Sequence, residues 1–261
     1  MTLNLPDVER VQLSLTPQQD VGSAATDVSN DHGTPNMLLL AYTDLVPIDS
    51  ATDLNSMRED FQTWNAWELG QAEVQVDGHV KAGDLPADDS IVSRIARTNF
   101  RSKAIEFFRA TSQAWLVPTD NFTVKRPVEA TEASANGAIS SELQSLVKES
   151  QLQDQFGVGL HTIKDRVDVK TENKYFFTHL VYQYNRSSKT IRPVVRDISF
   201  IVKKAGEKKS GNKVAVEIAF TAMTYDFDLT FWRGNRHKGA AAIKKGEPIR
   251  KQMSFDFLNF E

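Results

Sequence analysis

From Lys174 to Trp232 apolar and polar residues alternate with a period of two. The facing sets are Phe176/Leu180/Tyr182, Val194/Ile198/Phe200/Val202 and Val214/Val216/Ile218/Phe220. Such alternation belongs to pleated strands with one buried and one wet face. The connecting segments, 185–190 and 203–212, are polar and short. They suit hairpins, whereas parallel pairing needs a crossover of about a dozen residues or more. The stretch therefore predicts an antiparallel meander. Past Lys213 the apolar phase moves from even positions to Phe227, Leu229 and Phe231. One inserted residue reverses the facing, so a bulge or corner is expected near Thr224–Asp226.

Helical spacing takes over upstream. Phe100, Ala104, Phe107, Phe108, Thr111 and Trp115 mark one stripe, with Asp88, Asp89 or Ser90 as N-cap and Pro118 as the stop. Leu143, Leu146, Val147, Leu152 and Phe156 support a second helix, opened by Ser141-Glu-Leu-Gln144 and ended near Gly157. Leu54–Leu69 reads as a further helix in which Trp64 and Trp67 share a packing face. Met37–Ile48 reads as a buried strand, and Glu73–Lys81 as a hairpin about Asp77-Gly78. Val11/Leu13/Leu15 fit a short strand and Gln18–Pro35 a loop, while Glu129–Ala138 is a small, polar loop. Gly234, Gly239 and Gly246 predict a basic loop over Arg233–Lys251, before a last strand at Met253/Phe255/Phe257.

Composition narrows the class. With 261 residues, 40% apolar and 25% charged, the chain can bury a full core. No apolar run approaches the roughly 20 residues of a membrane helix. The N-terminus lacks the basic and apolar regions of a secretory signal, so synthesis in the cytoplasm without classical export is expected. Absence of cysteine excludes disulfides, thiolate metal sites and a thiol nucleophile. Charge is uneven. Residues 1–90 hold 16 acidic against three basic residues, a net of −13, and residues 91–261 hold 28 basic against 18 acidic, a net of +10. The split fits either an acidic arm over a basic body or two solvated faces.

Catalytic motifs are missing from the sequence. His32, His79, His161, His179 and His237 are scattered, without a second ligand at metal spacing. There is no phosphate-cradling glycine loop and no Gly-x-Ser-x-Gly elbow. Asp226 and Asp228 would share a strand face and read more simply as solvent-facing than as an acid/base pair. The basic loop lacks the interleaved aromatics of a single-strand binder, and no helix-turn-helix is present, so nucleic acid is not an expected partner. No enzyme activity, metal or cofactor is expected.

The segment Gln113-Ala-Trp-Leu-Val-Pro-Thr119, followed by Asp120-Asn-Phe122, resembles the helix-to-Leu-Val-Pro-Thr turn of the Cyt-like family, the bacterial cytolytic delta-endotoxins and volvatoxin-like cytolysins. The strands Lys174–Tyr182, Ile191–Val202, Val214–Phe220 and Tyr225–Phe231 are similar in order and spacing to that family's long C-terminal strands. The likeness covers about residues 91 to 232. It implies a single α+β domain, an antiparallel sheet between amphipathic helix pairs in three layers, that stays soluble until it binds lipid and perturbs membranes. Self-association on the membrane, and release or storage as an inclusion, follow as expectations. Residues 1–88 would form an acidic extension and candidate pro-region, and residues 89–261 the core. The expected contacts with anionic headgroups are Arg94, Arg97, Arg101, Lys103 and Arg109 on the helix, and Arg233, Arg236, Lys238, Lys244, Lys245, Arg250 and Lys251 on the loop. The alternative is a non-lytic binding or structural module on the same scaffold.

Overall fold

The structure, a computed structural model, describes residues 5–8, 34, 36–43, 46–111, 113–147, 150–163, 173–204 and 213–257. It is a mixed α+β domain in which helices cover both faces of one six-stranded sheet. In chain order the elements are β1 (Met37–Thr43), α1 (Ala51–Ala82), α2 (Ile91–Thr111), β2 (Leu116–Thr131), α3 (Ala135–Leu146), α4 (Ser150–Ile163), β3 (Asn173–Asn185), β4 (Thr190–Lys204), β5 (Lys213–Phe227), α5 (Leu229–Asn235), α6 (Ala240–Met253) and β6 (Ser254–Phe257). The strand order is β2-β5-β4-β3-β1-β6.

The meander is present. β3, β4 and β5 pair antiparallel in sequence, with Phe177 opposite Ile198 and Phe200 opposite Phe220. The β3–β4 turn is a hairpin in which the Asn185 side chain accepts from the amides of Ser187 and Ser188 and Lys189 takes a positive φ of 54°. The sheet is not antiparallel throughout, however. β1 lies parallel to β3 on one side and to β6 on the other. Its seven residues are all buried, as strands covered on both faces must be. The region before residue 89 is therefore no detachable extension from residue 37 onward: β1 lies inside the sheet and α1 helps to cover it. The Val11/Leu13/Leu15 strand and the Gln18–Pro35 loop lie outside the described residues.

Four local expectations are corrected. Asp77-Gly78 is not a hairpin, because α1 runs on to Ala82 and ends at Gly83, whose φ of 83° suits a residue without Cβ. Tertiary partners hold that last part of α1: Val76 packs with Phe100 and Leu85, and Asp77 meets Lys245 at 2.7 Å. Near Thr224–Asp226 the irregularity falls on the neighbouring strand, between Pro118 and Asp120 of β2 opposite Tyr225 and Thr224. β5 itself runs in regular register with β4 and stops at Phe227, where α5 begins with its N-cap Asp228 accepting from the Phe231 amide at 2.9 Å. Glu129–Ala138 is not a loop. β2 continues to Thr131 and α3 begins at Ala135, after which α4 passes through Gly157 to Ile163. Pro118 and Pro127 are tolerated in β2 because it is the sheet edge, where missing donors disturb only one neighbour.

The glycines of the 233–251 segment are not breakers either. α5, a 3-10 turn and α6 occupy it. A Cβ on Gly246 would stand 1.9 Å from the Ala66 carbonyl oxygen, and one on Gly70 would stand 1.9 Å from that of Ala242. A Cβ on Gly239 would meet the Trp67 ring. These glycines let α6 lie backbone-to-backbone on α1.

The core follows from strand alternation. One face of the sheet, carrying Met37, Leu39, Ala41, Phe176, Leu180, Tyr182 and Val195, lies beneath α1, α2, α5 and α6. The opposite face carries Leu38, Leu40, Tyr175, Phe177, Ile198, Phe200, Ile218 and Phe220 beneath α3 and α4. All four tryptophans, Trp64, Trp67, Trp115 and Trp232, are buried on the α1 side.

Candidate functional site

The cations expected on an outer helical face are mostly turned inward. α2 is capped as predicted, with the Ser90 hydroxyl accepting from the Ser93 amide and the Asp88 carboxylate receiving the Ser93 hydroxyl at 2.7 Å. The hydrogen bonds from Ser90 and Ser93 hold the Asp88 carboxyl well below its ordinary range. Beyond the cap the reading of a basic outer side fails. Arg97 is buried and donates to the carbonyls of Pro86 and Asp88, Arg101 is buried against Glu73 at 2.6 Å, and Arg109 is buried entirely. Arg94 is half-buried, and Lys103 reaches the Pro6 carbonyl and Asp7. A buried guanidinium paired to a carboxylate is a structural joint and is not available to a headgroup.

The 233–251 cations are more exposed but largely committed. Arg233 and Arg236 converge on Asp60, itself 2% exposed. Lys245 pairs with Asp77, Arg250 is buried beside Glu247, and Lys251 lies 3.6 Å from Glu247. Lys238 donates to the Asn235 amide oxygen. Lys244 is exposed with no carboxylate partner among the described residues. The two aspartates that alternate at the end of β5 are accounted for: Asp226 pairs with Arg192, and Asp228 caps α5.

A polar cluster that spacing could not reveal joins the two layers. Arg109 on α2 donates to both oxygens of Glu68 on α1, at 2.6 and 2.8 Å, to the Thr178 hydroxyl on β3 at 3.0 Å, and to Asp197 on β4. Its guanidinium also lies 4.8 Å from the Trp64 ring centre. Gln113 links Glu68 to Trp64, donating to the first and accepting from the indole of the second. Two carboxylates thus share one cation in a closed core. Burial, together with the nearby Glu68, pushes Asp197 up to about 7 despite Arg109. Burial alone would lower the Arg109 guanidinium, but Asp197 and Glu68 reverse that and raise it.

The opposite sheet face offers the clearest functional geometry. β2, β5, β4 and β3 are 16, 15, 15 and 13 residues long, and among the described residues their apolar rows there meet two short helices, α3 and α4. Ile139, Leu143, Leu146, Phe156 and Leu160 form the contact. A cavity of about 220 Å³ opens where α3 ends, lined by Leu146, Val147, Phe122, Phe220, Arg196 and Thr224 among others. Beneath α4, His179 is 0% exposed, and neither ring nitrogen has a hydrogen-bond partner among the described residues. On the other face, the β2–β5 half of the sheet presents Thr123, Lys125, Ala215, Glu217, Ala219 and Thr221, which are partly or fully exposed. Among the described residues no group of three or more His, Asp or Glu is placed to hold a metal ion. No described helix is long and apolar enough to cross a membrane.

No protein-family model matches the chain, and no curated protein matches it in sequence. Its structure is similar to a solved structure described as that of the Evf virulence factor, at 12% sequence identity and a TM-score of 0.38, over 92% of this chain and 91% of that one.

Proposed function

We propose that this chain is a non-enzymatic, membrane-perturbing protein of the Cyt-like cytolysin and virulence type, soluble until it meets lipid. The observation that carries the reading is the asymmetry of the β2-β5-β4-β3 block. Its strands exceed the ~9–11 residues that a tilted strand needs to span a bilayer. One face is apolar beneath α3 and α4 over Tyr175, Phe177, Ile198, Phe200, Ile218 and Phe220, interrupted by His179 and Arg196, and half of the other is small and polar without a helical layer among the described residues. Alternation of apolar and polar faces is what a lipid-inserted sheet requires. Displacing two short helices would expose such a surface without unfolding the α1–α2 layer.

Dye release from vesicles tests this. Release or co-sedimentation with phosphatidylserine-containing vesicles is expected, and high salt should weaken it wherever exposed lysines contribute. Absence of both, before and after limited proteolysis, would overturn the reading in favour of a non-lytic binding module.

A further inference from the structure

We propose that His179 is an acid-operated latch for the α4 cover, so that protonation releases the α3–α4 layer while the α1–α2 layer stays in place. This rests on the membrane-perturbing reading and adds its trigger. His179 lies on β3 with its ring between Tyr42 of β1, 6.0 Å away and edge-on, and Phe156 of α4, 6.1 Å away and tilted. Its cross-strand partner is Arg196 of β4. Among the described residues no carboxylate lies against the ring. β1 presents the Tyr42 phenol, β4 presents Arg196, and α4 presents Phe156 while its Asp154 and His161 are exposed to solvent. From α3, Glu142 is turned to Arg126 of β2 at 3.6 Å.

An imidazolium formed in this position would be buried, without a partner among the described residues, and next to a guanidinium. Burial, reinforced by Arg196, holds His179 down at about 3. The escape for the charge is through α4, because Tyr42 and Arg196 belong to strands of the sheet while Phe156 belongs to the helix that covers it. Released to water, the ring would titrate near 6.5. Between those two values the open form binds a proton that the closed form refuses, so the opening equilibrium rises up to about tenfold for each pH unit below about 6.5.

The second face answers acid in the opposite sense. Asp197, one residue from Arg196 and pointing to the α1–α2 side, shares Arg109 with Glu68; a proton taken up there relieves the excess negative charge. Acid therefore loosens one cover and tightens the other.

The position of the tryptophans makes the test selective. All four report the α1 side, so their emission should not shift toward that of exposed indole while α4 opens. The cysteine-free chain accepts a single label at the exposed α4 position as Val158→Cys. With an environment-sensitive dye there, and with amide exchange of α4 measured beside α2, acidification from neutral pH to about 5 should change the dye and deprotect α4 by ten-fold or more. Tryptophan emission should not shift toward that of exposed indole, and α2 should lose no protection. His179→Phe should abolish the response, and Arg196→Gln should blunt it even if the phenylalanine variant folds poorly. pH-independent protection of α4, or an unchanged acid response in His179→Phe, overturns the latch whatever vesicles do. An α4 that opens on cue without any vesicle binding leaves the latch standing and removes the membrane function instead.

Discussion

Arg109 and Glu68 form a two-point ion pair, 2.6 and 2.8 Å long, that fastens α2 to α1 with both side chains almost wholly out of water. Because the same guanidinium reaches Asp197 on β4, it ties two helices and the sheet at one point. Arg109→Met would leave two buried carboxylates without their cation. A destabilisation of about 3–5 kcal/mol is expected. Urea denaturation followed by tryptophan emission measures it, and Lys103→Met, which removes an exposed pairing, should change stability by under ~1 kcal/mol.

The cluster also sets a pH dependence. Asp197 has its folded pKa raised from 3.8 to about 7, so the folded state holds a proton that the unfolded state has already lost between those values. Its contribution is fully present below about pH 4 and is lost as pH rises to about 7. Asp197→Asn should flatten this limb of the stability-against-pH curve by an amount on the order of a few kcal/mol. An unchanged slope between about pH 4 and 7 would show that the cluster is not the proton acceptor.

The contact of α1 with α6 makes a sharp steric prediction. Gly70→Ala and Gly246→Ala each drive a methyl group into a backbone carbonyl, which no side-chain rotation can relieve. Each should destabilise by at least ~1–3 kcal/mol and disturb α6. Gly78→Ala, at an open position within the same α1, should instead stabilise by about 0.5–1 kcal/mol. Thermal melting of the three variants separates close packing from helix propensity.

A fourth expectation concerns the α3–α4 cover. Leu143, fully buried against the sheet, contributes only to that layer. Leu143→Ala should cost about 2–5 kcal/mol of local closure and raise amide exchange in α3 and α4 more than in α1. In vesicle assays the same substitution should hasten dye release. Slower release, with exchange raised as expected, would indicate that the helices themselves carry the lipid contact.

Much of the fold was legible where one physical rule dominated. Period-two alternation located β3, β4 and most of β5, and the capped stripe located α2. Spacing misled wherever partners came from elsewhere in the chain. Asp77-Gly78 has hairpin chemistry, yet α2 and α6 hold it helical. Gly239 and Gly246 look like interruptions until α1 is placed against them. Arg97, Arg101 and Arg109 fall off the apolar stripe of α2, which suggests water, but α1 meets that side with Glu68 and Glu73 and carries few apolar residues there to warn of burial. His179 was one of five scattered histidines; its depth beneath Phe156 distinguishes it from His79, His161 and His237.

The placement of β1 between β3 and β6 bears on synthesis at the ribosome. Leu39 completes its ladder only with Ser254, after every helix and every meander strand has been made. Until then the growing chain carries β1 with an open and largely apolar edge. Pairings this distant are slow to form, so assembly should be a late, nearly all-or-none event that depends on protection by chaperones.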